Sequence, residues 1–302
     1  MDLQVDLNGL KLQNPVITAS GTFGYAKEYK DLIDLDSLGA IIVKGLSLKP
    51  SLGNPNPRVV ETACGLLNAV GLENVGLEIF RSEKLPFFRT LKPPVLVNIY
   101  GKSMEEYELL AFELDRLPGV AGVEVNISCP NVAAGGAAFG VDPDAALAVV
   151  TMVRRSFSRH VMVKLSPNVT DIVAIALAVE KGGADSISLI NTITGMAIDV
   201  ETRRPVLANV TGGLSGPAIK PVALRMVWQV AQKVGVPVVG VGGIMTASDA
   251  LEFMIAGASA VQVGTGTLVD PDTMGNIVRG MEKFMARKGI DRVRDLTGSL
   301  IV

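Results

Sequence analysis

Polar residues lie near the carboxyl ends of short apolar runs along the chain. Lys44 and Lys164 are two of them, and Asn98, Asn126 and Asn191 are three more. Lysine is almost never fully buried without a partner, so packing alone does not explain this set. Their ammonium and amide groups suit hydrogen bonding to a polar ligand that carries negative charge. For one lysine, extension of the ammonium into solvent is an equally good explanation, but the whole set favours a binding site.

Two glycine-rich turns also follow apolar runs. They read Gly-Val-Gly-Gly at 240–243 and Gly-Thr-Gly at 264–266. Such turns let backbone amides approach an anion such as a phosphate, although either turn alone is equally explained by tight packing. A G-x-G-x-x-G fingerprint after a strand is absent from the sequence, so no dinucleotide fold is indicated.

A cysteine ends another apolar run, and it is a candidate catalytic base. Cys129 lies in Asn-Ile-Ser-Cys-Pro-Asn at 126–131, before a segment rich in alanine and glycine at 132–140 that can close over a ligand. An inert buried cysteine is the usual alternative, and it remains our interpretation of Cys64. His160 precedes a predicted strand, at the end opposite to the ligand site. The base must then be Cys, Lys, Asp or Glu.

These residues need a scaffold that gathers strand ends at one place. Eight β-branched runs predict strands at 15–20, 40–45, 94–101, 122–129, 161–167, 186–192, 237–243 and 260–265. Apolar residues at helical spacing predict helices at 104–117, 143–158, 171–181, 217–234, 247–256 and 270–288. Each predicted strand is followed by a helix. Eight such units predict a closed TIM (β/α)8 barrel, with a doubly wound open sheet as the main alternative.

The first residues and three long connections differ from this pattern. Asn8-Gly9 between apolar runs predicts an N-terminal β-hairpin that plugs the bottom of the barrel. Insertions in the βα loops are expected at 46–70, 130–141 and 193–216. Neither a linker nor a repeat divides the sequence, so we expect one domain over residues 1–302.

Composition excludes several functions. The 302 residues include 48% apolar and 19% charged residues, with a net charge of −2 and no basic block, which argues against nucleic-acid binding. Two cysteines and one histidine are too few for an unaided zinc or iron–sulfur centre. No apolar run is long enough to span a membrane, and acidic Asp2 and Asp6 lie near the N-terminus. We therefore predict a cytoplasmic protein.

Several motifs together resemble a known family. They are NPVITASGTFG at 14–24, VKG at 43–45, NPNPR at 54–58, LNAVGLEN at 67–74, NISCPN at 126–131 and NT at 191–192. The sequence resembles the class 1 dihydroorotate dehydrogenases nearly from end to end. Within that class, GTFG at 21–24 and ACGLLN at 63–68 resemble type 1B, the catalytic subunit that passes electrons toward NAD, more than the fumarate-using type 1A.

The resemblance implies an FMN-dependent oxidation of dihydroorotate to orotate in pyrimidine (UMP) biosynthesis. It implies that one FMN per chain is bound by Ser20, Lys44, Gly45, Asn98, Asn126, Lys164, Ile190, Gly216, Gly242, Gly243, Gly264 and Thr265. It implies that dihydroorotate contacts Lys44, Asn68, Ala69, Val70, Gly71, Leu72, Asn126, Asn191 and Thr192. Cys129 would take the C5 proton while a hydride leaves C6, and Lys164 would stabilise negative charge near flavin N1.

The resemblance also implies partners. Type 1B implies an electron-transfer subunit with FAD and a 2Fe-2S cluster, two copies of which bind a homodimer of this chain to form a heterotetramer. Three alternatives stay open at this point. A dihydropyrimidine dehydrogenase-like enzyme with its own clusters needs more cysteines, a dihydrouridine synthase-like enzyme needs a basic face for tRNA, and a non-catalytic phosphate-binding barrel would be colourless.

Overall fold

The computed structural model describes residues 1–128 and 139–302. Residues 129–138 lie outside the described part of the chain. They include Cys129, most of the predicted insertion 130–141 and most of the segment 132–140 that we expect to close over a ligand.

The strands and helices of the described residues alternate for most of the chain. The strands are β1 Val5–Leu7, β2 Leu10–Leu12, β3 Val16–Thr18, β4 Ile41–Leu46, β5 Val59–Thr62, β6 Gly65–Asn68, β7 Val95–Ile99, β8 Gly122–Asn126, β9 His160–Leu165, β10 Ser186–Leu189, β11 Ile193–Met196, β12 Ile198–Asp199, β13 Arg204–Pro205, β14 Thr211–Ser215, β15 Val238–Val241 and β16 Ala260–Val263. The helices are α1 Gly76–Ile79, α2 Leu85–Phe88, α3 Met104–Asp115, α4 Pro143–Ser156, α5 Ile172–Lys181, α6 Lys220–Ala231, α7 Ala247–Ala256, α8 Thr265–Val269 and α9 Thr273–Lys288. A π-helical turn, Phe80–Lys84, joins α1 to α2.

Eight parallel strands form a barrel. Their order is β3-β16-β15-β10-β9-β8-β7-β4, and the bridge between Ile17 and Ala40 joins the two ends. The Thr18 hydroxyl strengthens this seam because Oγ1 donates to the Ile42 carbonyl at 3.0 Å and accepts from the Ile42 N–H at 2.7 Å. The barrel prediction is confirmed, and all eight predicted strands are present within a few residues of their expected bounds. The open sheet is excluded.

Side-chain caps explain where several outer helices begin. Ser103, Asp142 and Asp171 accept hydrogen bonds from N–H groups in the first turns of α3, α4 and α5. Thr246 begins α7 in a reciprocal capping box with Asp249. Each cap satisfies backbone donors that a helix start leaves unpaired, and so fixes the direction in which the helix leaves the strand end.

The expectation that each strand is followed by a helix is wrong for the first barrel strand. Only two short 3-10 turns, Lys27–Tyr29 and Leu35–Ser37, separate β3 from β4. Gly24 and Ala26 have φ of 57° and 62°. Because right-handed helices need negative φ, these residues break any longer helix here.

The N-terminal hairpin is confirmed. Strands β1 and β2 are antiparallel with Val5 opposite Leu12, and Asn8 and Gly9 turn the chain at φ of 53° and 97°. The turn lies beside His160 and Asp185, at the amino ends of the barrel strands. The hairpin therefore covers the bottom of the barrel, as expected.

Two of the predicted insertions combine into one structure. Strands β5 and β6 come from the first, β11 and β14 from the other, and they form a four-stranded antiparallel sheet in the order β11-β14-β6-β5. The sheet holds residues 68–72 beside the mouth of the barrel, because Asn68 pairs with Gly213 on β14. Within the described ranges, no helix is long and apolar enough to cross a membrane.

Candidate active site

The structure gathers the described predicted ligands at the mouth of the barrel, where the carboxyl ends of its strands meet. Strands β4, β7, β8 and β9 carry Lys44 and Gly45, Asn98, Asn126, and Lys164. Ile190, Asn191 and Thr192 follow β10, and Ser20, Gly242, Gly243, Gly264 and Thr265 follow β3, β15 and β16. Gly216 follows β14 of the inserted sheet. Cys129, the predicted base, is outside the described residues.

Lys164 is buried at this mouth with little hydrogen bonding. Its exposed fraction is 5%, and Nζ lies 3.5 Å from Gln262 Oε1. Among the described residues this long contact is the only hydrogen bond of the ammonium, which has three donors. A buried ammonium normally needs more partners, so the group is suited to donate to an acceptor on a bound molecule.

Two asparagine amides lie beside this lysine. Asn126 pairs in register with Lys164 across β8 and β9, and its Oδ1 is 3.5 Å from Asn191 Nδ2. Asn126 Oδ1 also accepts from the Ser128 N–H at 3.2 Å, and the Tyr107 hydroxyl donates to the Asn126 carbonyl at 2.7 Å. Asn126 Nδ2 has no acceptor in the described ranges, which leaves it available to a ligand.

The glycine turns converge on one side of the mouth. A Cβ on Gly243 would lie 2.9 Å from the Gly216 carbonyl oxygen, and a Cβ on Gly216 would lie 3.4 Å from Thr265 Cγ2. The Thr265 hydroxyl donates to Ser215 Oγ at 2.9 Å. Gly216 and Gly243 have φ of 91° and 72°, which glycine adopts easily. This small, backbone-lined cradle fits a phosphate group.

The loop 68–72 closes another side of the site. Asn68 Nδ2 donates to the Gly213 carbonyl at 3.2 Å, and the Ala69 N–H donates to the Arg58 carbonyl at 2.8 Å. Gly71 turns the chain at a φ of 76°, and Leu72 then packs near Gly45 on β4. The loop is thus anchored by backbone and amide bonds close to Lys44.

An ion-pair chain at Lys44 was not predicted. Lys44 Nζ is 3.9 Å from Glu73 Oε2, and Arg58 Nη2 holds the same oxygen at 2.5 Å. Arg58 and Glu73 both lie in motifs that carry the family resemblance, so the sequence contained a signal for this pair.

Two groups near the site have raised pKa values. Burial raises the pKa of Tyr25, whose hydroxyl accepts from the Val75 N–H. Beside the glycine turns, Lys220 Nζ donates a hydrogen bond to Asp249 Oδ1 at 2.6 Å, and this bond raises the pKa of Lys220.

A second unpredicted group lies one layer deeper in the barrel. Glu124, Ser188 and Gln262 lie two residues before Asn126, Ile190 and Gly264, and the side chains of Ser188 and Gln262 both donate to Glu124. Successive side chains of a strand alternate between faces, so residues two apart point to the same side. This two-residue period marks Glu124, Ser188 and Gln262 as facing the same interior as the predicted ligands.

Two further residues test the sequence interpretation. Cys64 is exposed, so the expectation of a buried cysteine is wrong. It occupies the two-residue turn between β5 and β6. His160 lies at the amino end of β9, opposite to the mouth, as expected. No group of three or more His, Cys, Asp or Glu residues in the described part of the chain could hold a metal ion.

A closed barrel with a polar ring and glycine turns at the carboxyl ends of its strands is the arrangement typical of TIM-barrel enzymes, in which phosphate sites commonly lie at this end. The family model for dihydroorotate dehydrogenase matches residues 2–285. The chain belongs to the dihydroorotate dehydrogenase family.

Curated relatives refine this assignment. The chain is 62% identical to a protein of Geotalea daltonii over 99% of this chain and 98% of the relative, and 59% identical to one of Geobacter sulfurreducens over 100% and 99%. Both relatives are named dihydroorotate dehydrogenase B (NAD(+)), catalytic subunit. The predicted resemblance to the B type is confirmed, and a flavin cofactor follows from the family.

A solved structure supports the fold. The crystal structure of DHODH in complex with ferulenol from Eimeria tenella matches with a TM-score of 0.83 and 23% sequence identity. The match covers 98% of this chain and 88% of that chain. It shows that the two chains share the barrel.

Proposed function

We propose that this chain oxidises (S)-dihydroorotate to orotate in pyrimidine biosynthesis, as an FMN-dependent catalytic subunit whose electrons reach NAD through a partner. The observation that carries the proposal is Lys164, a buried ammonium at the barrel mouth with a single long hydrogen bond in the described residues. Such a group fits a flavin ring that gains negative charge on reduction.

The FMN site draws on two parts of the mouth. The cradle of Gly216, Gly242, Gly243, Gly264 and Thr265 would bind the phosphate. Around the ring we propose contacts from Ser20, Lys44, Gly45, Asn98, Asn126, Lys164 and Ile190. When bound, FMN supplies a hydride acceptor. The Lys164 ammonium would stabilise charge near flavin N1, and the buried strand ends would exclude water.

The substrate site would use the loop 68–72 together with Lys44, Asn126, Asn191 and Thr192. Dihydroorotate presents alternating N–H and C=O groups and a carboxylate, which suit amides, a hydroxyl and an ammonium. We propose that Cys129 takes the C5 proton while the hydride leaves C6, so that a C5=C6 double bond forms. Cys129 lies outside the described residues, and this role rests on the family motif at 126–131.

The colour of the purified protein tests the proposal. We expect the full chain to be yellow with one FMN, and its visible absorbance to bleach when dihydroorotate is added without oxygen. A colourless protein that cannot be loaded with FMN would favour the phosphate-binding scaffold. A yellow protein that dihydroorotate fails to bleach would leave a flavoprotein with another substrate.

The partner follows from the names of the relatives and from the cysteine count. Those relatives are called catalytic subunits and are linked to NAD. Two cysteines are too few for a 2Fe-2S cluster in one chain. We therefore propose a second subunit with FAD and a 2Fe-2S cluster, two copies of which bind a homodimer of this chain.

This division of labour is measurable with the isolated chain. We expect it to pass electrons from dihydroorotate to dyes but to reduce NAD negligibly until the partner is added. Rapid NAD reduction by the chain alone would contradict the proposed partner. Robust turnover with fumarate would indicate the A-type reaction instead.

A further inference from the structure

A carboxylate lies inside the barrel, below the ring of proposed ligands. Glu124 on β8 is 0% exposed. Three side chains from other strands donate to it: Asn98 Nδ2 at 2.6 Å, Ser188 Oγ at 2.8 Å and Gln262 Nε2 at 2.6 Å. Glu124 therefore connects β7, β10 and β16 across the interior.

These bonds decide which end of each amide faces the mouth. The Glu124 oxygens accept from Asn98 Nδ2 and Gln262 Nε2, so the NH2 groups of both amides face Glu124. Their oxygens then point away from it. Asn98 Oδ1 faces Gly45, where a Cβ would lie 3.0 Å away. Gln262 Oε1 accepts from Lys164 Nζ at 3.5 Å.

We infer that Glu124 is a positioning residue for the flavin site. Its carboxylate keeps Asn98 Oδ1 turned toward the cofactor and, through Gln262 Oε1, holds the Lys164 ammonium in place. This inference rests on the proposed function, in which Asn98 and Lys164 contact FMN. Glu124 acts only through these neighbours.

The energetic cost of Glu124 supports a role beyond packing. Burying a carboxylate is expensive, and apolar residues of similar volume often fill such positions at equal or lower cost. Glu124 is linked to Lys164 only through Gln262, which donates to the carboxylate and accepts from the ammonium. A purely structural cluster would affect unfolding alone, whereas a positioning cluster also sets the affinity for FMN.

Glu124→Gln separates these explanations. The new amide places an NH2 group against donors that the carboxylate accepted, so at least one neighbouring amide must turn over. We expect the FMN dissociation constant to rise about tenfold or more, as loss of a charge-assisted hydrogen bond predicts. Ultrafiltration of the full-length protein over a series of FMN concentrations measures this, with free FMN read from visible absorbance.

Asn98→Asp combined with Glu124→Gln is the rescue variant. The carboxylate at position 98 can accept from the amide at position 124, while its second oxygen still faces the mouth. We expect FMN affinity to return to within about threefold of the wild type. Asn98→Asp alone places two carboxylates in contact, and it should bind FMN most weakly.

Ser188→Ala is the matched control. It removes one donor to Glu124 but leaves both amides bound to the carboxylate, so FMN affinity should stay within about threefold of the wild type. Urea unfolding of each variant reports stability. The inference is overturned if Glu124→Gln binds FMN like the wild type, or if it weakens binding no more than Ser188→Ala and the double variant restores nothing.

Two further outcomes are distinguished from a failure of the inference: the wild type does not bind FMN, or Glu124→Gln does not fold. Failure of the wild type to bind FMN contradicts the proposed function itself, before any variant is compared. If Glu124→Gln does not fold, Gln262→Met takes its place, because it cuts the link to Lys164 without changing charge. We then expect a severalfold loss of FMN affinity, and unchanged affinity would overturn the inference.

Discussion

The two ends of β9 hold polar side chains in opposite ways. At the base of the barrel, where β9 begins, Arg159 donates to the carbonyls of Leu114, Leu117 and Val120. These three residues lie in the last turn of α3 and in the loop that follows it. Next to Arg159, the His160 ring nitrogen Nε2 is 2.8 Å from Ser186 Oγ. At the mouth, Lys164 has one contact at 3.5 Å in the described residues.

This difference separates polar groups that stabilise the fold from those that bind. The base groups use their hydrogen-bonding capacity on the chain itself, so removing one should change the free energy of unfolding. The mouth groups keep donors unused, and removing one should change cofactor binding or chemistry. The effects of substitutions should therefore divide between the two ends of β9 in this way.

The largest effect is expected for Cys129→Ser, the variant of the proposed catalytic base. Serine is a far weaker base than cysteine, so turnover should fall about a thousandfold, equivalent to roughly 4 kcal/mol of barrier. Bound FMN and the unfolding midpoint should be unchanged. Steady-state oxidation of dihydroorotate with a dye measures turnover.

Cys64→Ser is the control for this variant, because Cys64 is the exposed cysteine of the β5–β6 turn. Its turnover should match that of the wild type. Normal turnover of Cys129→Ser at neutral pH would remove Cys129 from the mechanism.

The next largest effect is expected at the bottom of the barrel, where β9 begins, and it depends on pH. Burial lowers the pKa of His160 from 6.5 to about 4. Between these values the unfolded chain binds a proton that the folded chain does not, so the free energy of unfolding rises with pH. The contribution, about 3 kcal/mol, is complete above the unfolded pKa and is lost as the pH falls toward 4.

His160→Gln removes this dependence, because glutamine keeps a hydrogen-bonding group near Ser186 but does not titrate. Urea unfolding at several pH values should show a shallower loss of stability below pH 6.5 for the variant than for the wild type. Parallel pH profiles for the two proteins would show that another group is responsible.

Particular residues show why the fold was more predictable than the site. Parallel strands covered by helices leave apolar runs such as Ile41–Leu46, which local sequence reveals. The pairing of β6 with β14 joins segments far apart in the chain, which no local pattern encodes. Glu124 and Gln262 were not among the predicted site residues, because their contact arises only when the barrel brings β8 and β16 together.

A smaller effect at the mouth is expected for Lys164→Ala. The lost positive charge favours the oxidised, neutral flavin over the anionic reduced form, so the midpoint potential should fall. An energy of about 2 kcal/mol corresponds to roughly 40 mV for two electrons. Spectroelectrochemistry of the FMN-loaded variant measures the shift. His160→Gln, at the other end of the same strand, should leave the potential unchanged, and equal potentials for Lys164→Ala and the wild type would contradict the proposed role.

The smallest effect is expected for Ser186→Ala, which removes the partner of His160 at the base. The variant removes the only side-chain partner of His160 Nε2 among the described residues. Because Ser186 is fully buried, water does not replace its hydroxyl, and the free energy of unfolding should fall by about 1 kcal/mol. Ser188 lies two residues along the same strand and bonds to Glu124 instead, at 2.8 Å. Urea unfolding above pH 7 compares the two alanine variants with the wild type, and FMN ultrafiltration follows binding. Weaker FMN binding by Ser186→Ala with unchanged stability would show that the bottom of the barrel influences the cofactor. The division between the two ends of β9 would then be wrong.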